Sequence, residues 1–159
     1  IEECTFKNIE IYRENANTLA TKVKADVAYL DPPYNSRQYN RFYHIYENLT
    51  QWNKPELFGV ALKPKPENNS LYCTTKAKSA FEQLVQRLDS KFIAVSYNNT
   101  YHAKSTSSEN KIKLTEIMDI LTQKGETRIF ECAHKFFNTG KTEFNDHKEL
   151  LFVCRVNPT

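Results

Sequence analysis

The chain has 159 residues, 40% of them hydrophobic and 13% aromatic, with a formal net charge of +3. That composition excludes a disordered or collagen-like chain and gives room for a single domain, 1–159, with a core of its own. No run approaches the roughly 18 apolar residues of a membrane span, no signal peptide is visible, and the mild charge permits a nucleic-acid partner without requiring one.

In chain order, "NIEIYRE" (Asn8–Glu14) predicts a strand and "NANTLATKV" a short helix or turn behind polar capping residues. "ADVAYL" (Ala25–Leu30) is a short apolar run that stops at a proline, and predicts a central parallel strand covered on both faces. "YNRFYHIYENLTQW" predicts a helix, with Phe42, Ile45, Tyr46 and Leu49 on one stripe. Residues 52–75 are polar and proline-punctuated and predict a long loop, of the kind that is usually functional or mobile. "AKSAFEQLVQRL" predicts a second helix, "KFIAVSY" a second buried strand, and "NNTYHAKSTSSENK" a polar loop. "LTEIMDILTQKG" predicts a third helix capped by Gly125, and "TRIFECAHKF" and "ELLFVCRV" predict two strands joined around Gly140. The order β(α)β–α–α–β–α–β–β predicts an α/β fold: a mostly parallel sheet closed by an antiparallel C-terminal hairpin.

Cys4, Cys73, Cys132 and Cys154 show no metal-ligand or disulfide spacing, which fits a reducing cytoplasm. His44 reads as structural, and His102, His134 and His147 lack the spacing of a metal site, so no metal is expected. There are three glycines, Gly59, Gly125 and Gly140, and none follows an N-terminal strand. A nucleotide-binding α/β domain usually carries a glycine-rich turn there. Its absence predicts that the chain is part of a larger protein.

The stretch "LDPPYNSRQY" stands where ligands sit in open α/β sheets, beyond the carboxyl end of a strand. Pro32 and Pro33 hold the chain out of helical geometry and contribute no N–H, so the corner offers carbonyl oxygens and the Asp31 carboxylate as acceptors. Tyr34 adds a flat ring. Acceptors beside a stacking platform suit a planar group with an exocyclic amine. Holding both amine hydrogens favours a more tetrahedral nitrogen, poised for attack on an electrophilic methyl group. A plain Pro-Pro turn with a surface aspartate is the competing reading of the tetrapeptide.

The longer string "DPPYNSRQYNRFYHIYENLTQWNKPELFGVALKP" resembles the catalytic motif of bacterial adenine-specific DNA methyltransferases of restriction–modification systems. "KFIAVSYNN" and "DHKELLFVCR" resemble later strands of the same family, so the resemblance extends over the whole chain. It implies a partial Rossmann-like fold, the C-terminal portion of a catalytic domain that uses S-adenosylmethionine. The glycine-rich cofactor motif and the target-recognition region would then lie in the missing N-terminal half of the same enzyme.

By this resemblance Asp31, Pro32, Pro33 and Tyr34 form the catalytic corner. Asp31 and the Pro32 carbonyl accept from adenine N6, and Tyr34 stacks on a flipped base. "ENANTL" resembles the family's acidic turn beside the cofactor adenine, with Asn15 where an aspartate is usual and Glu14 next to it, so Glu14, Asn15 and Asp31 are the cofactor-binding candidates. Arg37, Gln38 and Tyr39 follow closely enough to touch the flipped nucleotide or its phosphates. Tyr43 is a weaker candidate of the same kind, Lys63, Lys65, Lys76 and Lys78 can reach phosphates, and Asn98 and Asn99 can shape the target pocket. Double-stranded DNA and a cognate restriction endonuclease are the expected partners. Methylation of cytosine N4, an rRNA guanine or glutamine, and a non-catalytic DNA-binding role, remain as alternatives.

Overall fold

A computed structural model of the chain describes residues 8–66, 68–100, 108–133 and 148–158. The first helix, α1, is the single turn Ala16–Leu19, started by the Asn15 side chain, whose Oδ1 accepts from the Asn17 N–H at 2.9 Å. Strand β1 is Lys24–Leu30. After the proline corner come α2 (Tyr39–Phe42) and α3 (His44–Gln51), then a two-stranded hairpin of β2 (Leu57–Phe58) and β3 (Lys63–Pro64). A 3-10 turn at Leu71–Cys73 leads into α4 (Ala77–Arg87), followed by β4 (Asp89–Asn98), α5 (Leu114–Lys124), β5 (Gly125–Ala133) and β6 (Lys148–Val156).

The main sheet has the order β1-β4-β6-β5. β1 and β4 are parallel, and β6 runs antiparallel to both β4 and β5, so three strands point one way and β6 is inserted against them. The expected antiparallel pairing of the last two strands is present. Helices α4 and α5 cover one face, where Phe81, Val85, Ile117 and Leu121 pack on Ile93, Val95, Tyr97, Phe152 and Cys154. The alternation along β4 and β6 puts these strand residues inward, and their burial is the main apolar stabilisation of the fold.

Gly125 joins α5 directly to β5. A Cβ on it would lie 2.0 Å from the Arg155 carbonyl oxygen and 2.8 Å from the Val156 Cα. Glycine is required here by the close approach of β6, since its backbone is otherwise extended. In the β2–β3 hairpin Gly59 has φ +71°, a left-handed conformation that favours glycine, and its carbonyl accepts from Leu62 N–H at 3.1 Å.

Several expectations are corrected. Among the described residues β1 is an edge strand whose outer face is open: Val27 and Tyr29 are 57% and 62% exposed. A continuous apolar run signals two apolar faces but not what covers them. Residues 8–13 have no regular structure, and Ile9 and Ile11 are exposed; the run pairs with no described strand. The helix expected from Tyr39 onward is broken at Tyr43 (φ −100°, ψ 12°), and its apolar stripe of Phe42, Ile45, Tyr46 and Leu49 faces solvent rather than the core. The supposed loop 52–75 holds the hairpin and the 3-10 turn. The segment 101–107, the connection around Gly140, and Cys4, His102, His134 and His147 lie outside the described residues.

Candidate functional site

The corner begins where the β1–β4 ladder ends, at the pair Leu30 and Val95. Asp31 is exposed, and Pro32, Pro33 and Tyr34 are half-buried. The Tyr34 hydroxyl donates to Asp31 Oδ1 at 2.8 Å. Burial, ahead of the bond to the Asp31 carboxylate, pushes the Tyr34 hydroxyl well above its ordinary value, so it stays a donor at any neutral pH. No hydrogen bond from a described residue reaches Asp31 Oδ2. One carboxylate oxygen is therefore held and the other presented. The Tyr34 ring meets Tyr97 edge-on, with centroids 4.9 Å apart, and the Tyr34 carbonyl accepts from Lys111 N–H (2.8 Å) and the Tyr97 hydroxyl (3.2 Å).

Arg37 and Gln38 differ in their situations. The Arg37 guanidinium donates to Ser108 Oγ at 2.6 Å and lies 5.8 Å from the centre of the Phe42 ring, on the exposed side. Gln38 is clamped: its Nε2 donates to the Ser70 carbonyl (3.1 Å) and its Oε1 accepts from Ser70 N–H (2.8 Å). One N–H and the oxygen of the Gln38 amide thus tie the corner's exit to the 3-10 turn. Tyr39 is exposed and packs edge-on against Tyr43 at 5.7 Å, with burial ahead of the nearby Asp31 charge raising its hydroxyl pKa. His44 is half-buried on α3.

The cofactor candidates flank the turn before α1. Glu14 Oε2 pairs with Lys22 at 2.6 Å, and Asn15 spends its Oδ1 on the helix cap, which leaves its amide N–H groups for a ligand. Asn17, two residues on, donates to the Ala80 carbonyl (2.7 Å) and accepts from the Tyr72 hydroxyl (2.9 Å), so the turn is anchored to α4 and the 3-10 turn.

Of the four candidate lysines, Lys63 and Lys65 line a pocket of about 380 Å³ with Arg41, Phe58, Gly59, Pro64 and Pro66, and Lys63 sits 6.0 Å from the centre of the Phe42 ring. Lys78 pairs with Glu116 at 3.3 Å, while Lys76 lies exposed just before α4. Asn98 stands at the end of β4, and its carbonyl and Oδ1 accept from Asn110 Nδ2; Asn99 Oδ1 accepts from Lys148 N–H. Both lie past Val95, the β4 residue that pairs with Leu30 at the end of β1. Among the described residues no three His, Cys, Asp or Glu side chains gather as metal ligands, and no helix is long and apolar enough to cross a membrane. Sequence reading missed Ser70, Tyr97 and Ser108 as partners of the corner. For Tyr97 a signal existed: a tyrosine where the strand alternation asks only for an apolar ring.

Comparison with known proteins gives a consistent result. Residues 3–120 match the family model described as D12 class N6 adenine-specific DNA methyltransferase. The chain is 37% identical over 150 residues to the type II methyltransferase M.FokI of Planomicrobium okeanokoites, covering 91% of this chain and 22% of that protein. It is 33% identical to the modification methylase StsI of Streptococcus sanguinis (96% of this chain, 23% of that protein) and 29% identical to the type II methyltransferase M.NlaIII of Neisseria lactamica (87% and 39%). The chain thus spans well under half the length of these relatives. No solved structure matches.

Proposed function

The chain belongs to the D12 class of N6 adenine-specific DNA methyltransferases, and from that premise we propose that it forms the target-amine side of a site-specific adenine N6-methyltransferase of a restriction–modification system. The observation that carries the reading is the corner: an exposed aspartate with one oxygen held by Tyr34 and the other presented to solvent. Asp31 Oδ2 and the Pro32 carbonyl accept the two N–H bonds of adenine N6, which turns the nitrogen lone pair out of the ring system. S-adenosylmethionine, when bound, supplies an electrophilic methyl group whose S–C bond breaks as the N–C bond forms. The amine then gives up one proton, and Asp31 is the acceptor at hand. Tyr34 is the stacking ring for the flipped base, and Tyr39 and Arg37 border it on the exposed side. Gln38 positions the corner's exit and does not itself touch the substrate.

The residues fit one end of the cofactor. Glu14 and the free amide N–H groups of Asn15 would provide an acceptor and donors for a nucleoside edge of the cofactor. No described residue offers a glycine-rich cradle. The uncovered face of the sheet, where Phe92, Phe130 and Leu151 join Val27 and Tyr29, supports a place inside a larger Rossmann-like catalytic domain that would bury it. Double-stranded DNA is the proposed substrate, with specificity set outside this chain and a restriction endonuclease as the cognate partner.

The test is product analysis. The complete protein containing this chain is incubated with S-adenosylmethionine and unmethylated duplex DNA, and the DNA is digested to nucleosides. N6-methyladenine as the methylated product supports the reading; N4-methylcytosine, or methylation confined to RNA or protein substrates, overturns it.

A further inference from the structure

β4 alternates on its core face through Ile93, Val95 and Tyr97, all fully buried. A phenylalanine would fill the third position as well and would bring no polar atom into the core. The hydroxyl instead joins two separate segments: it accepts from Ile112 N–H at 3.2 Å and donates to the Tyr34 carbonyl at 3.2 Å. The same carbonyl takes Lys111 N–H at 2.8 Å, and the two tyrosine rings meet edge-on at 4.9 Å.

The consequence for the corner is geometric. Its first end, Leu30, is fixed by register with Val95, and its last residue, Tyr34, is fixed by Tyr97 two positions along the same face of β4. Between them Pro32 and Pro33 have φ locked by their rings. With both ends tied and two dihedrals frozen, few soft torsions remain to move the Asp31 carboxylate or the Pro32 carbonyl. Such acceptors act on an amine only if they hold their places before it arrives.

We propose that Tyr97 is a positioning residue for methyl transfer: its buried hydroxyl fixes the Tyr34 peptide and so holds the Asp31–Tyr34 corner in its amine-binding geometry. Tyr97 touches neither substrate nor cofactor and acts through Tyr34. This inference rests on the reading of the corner as the adenine N6 site.

The test uses the complete protein and compares wild type with Tyr97→Phe, which keeps the ring and removes the hydroxyl. Single-turnover methyl transfer is measured alongside the KM for S-adenosylmethionine, with 2-aminopurine at the target adenine reporting base flipping. The expected result is a transfer rate lower by about 10-fold, the size of one lost buried hydrogen bond expressed in the transition state, with the cofactor KM within about twofold. Cys154→Ala removes a buried Sγ that donates to the Leu121 carbonyl at 3.3 Å, away from the corner, and serves as the stability control, keeping the wild-type rate. Should Tyr97→Phe not fold alone, it is assayed beside the wild type in trimethylamine N-oxide, which favours the compact state. A Tyr97→Phe rate within twofold of wild type in either condition, or an equal loss in Cys154→Ala, overturns the proposal. Failure of the wild type itself to make N6-methyladenine instead overturns the underlying assignment.

Discussion

Asp31→Asn is nearly isosteric, and the geometry of the corner predicts that it is nonetheless inactive for a specific reason. Asp31 Oδ1 receives the Tyr34 hydroxyl at 2.8 Å. An asparagine satisfies this donor only by turning its carbonyl oxygen toward Tyr34. Its NH2 then occupies the place of Oδ2 and points a donor at the donor N–H of the amine. A lost hydrogen bond to a charged acceptor is worth about 1.5–3 kcal/mol, or roughly 10–150-fold in rate, before the donor–donor clash is counted. The orientation, not the loss of charge alone, is responsible, and this can be separated. In a Tyr34→Phe background nothing compels the asparagine to face Tyr34, so its oxygen is free to turn to the amine. Asp31→Asn is therefore expected to cost about 10-fold less in the Tyr34→Phe background than in wild type, a coupling of about 1.4 kcal/mol. The assay is single-turnover methyl transfer at saturating cofactor for the four proteins of the cycle. Equal costs in both backgrounds would refute the argument that Tyr34 dictates which oxygen is presented.

Other consequences can be checked independently. Gly125→Ala would force a Cβ to within 2.0 Å of the Arg155 carbonyl oxygen, so β5 and β6 must part by about 1 Å, at a cost of about 1–3 kcal/mol; a denaturant midpoint equal to wild type would contradict this. Glu116 accepts from Lys113 N–H at 2.9 Å, and this bond, opposed by partial burial and assisted by Lys78, holds its carboxyl below the usual value of 4.5. Because the folded-state pKa is lowered, its contribution is present above pH 4.5 and is lost as pH falls through the folded value. Glu116→Gln should flatten the stability profile in that acidic window while leaving the cap bond, as acid titrations of both proteins would show. Replacing Lys63 and Lys65 together by alanine should reduce the slope of log K against log salt for DNA binding by about 0.9 per lost phosphate contact, with sequence preference unchanged; an unchanged slope would remove the hairpin from the DNA surface.

The sequence disclosed those features that depend on local pattern. β4, β6, α4 and α5 are visible because their apolar spacing matches the burial that stabilises them, and the corner is visible because two prolines after a strand leave few conformations. What depends on partners was not legible. The run Asn8–Glu14 has strand-like composition, but a strand requires a neighbour to bond, and no described strand accepts it. The stripe on α3 has helical spacing, yet spacing cannot tell a core from an exposed apolar surface. Gln38 looked like a substrate contact from its place beside the corner. Only the fold brings Ser70 across 32 positions to take both ends of its amide. Tyr97 was overlooked for the opposite reason: alternation assigns it correctly to the core, and although its hydroxyl is a signal, the partners of that hydroxyl are visible only when the turn before α5 returns beneath the corner.

The most direct measurement is tritiated methyl transfer from S-adenosylmethionine to unmethylated genomic DNA by the complete protein and by its Asp31→Ala variant, both shown to be folded. The account predicts label in N6-methyladenine with the wild type and a loss of at least about 100-fold in the variant, since removal of the carboxylate leaves the amine with one acceptor in place of two. Equal labelling by the two proteins would contradict the assignment of Asp31 and, with it, the role of the corner.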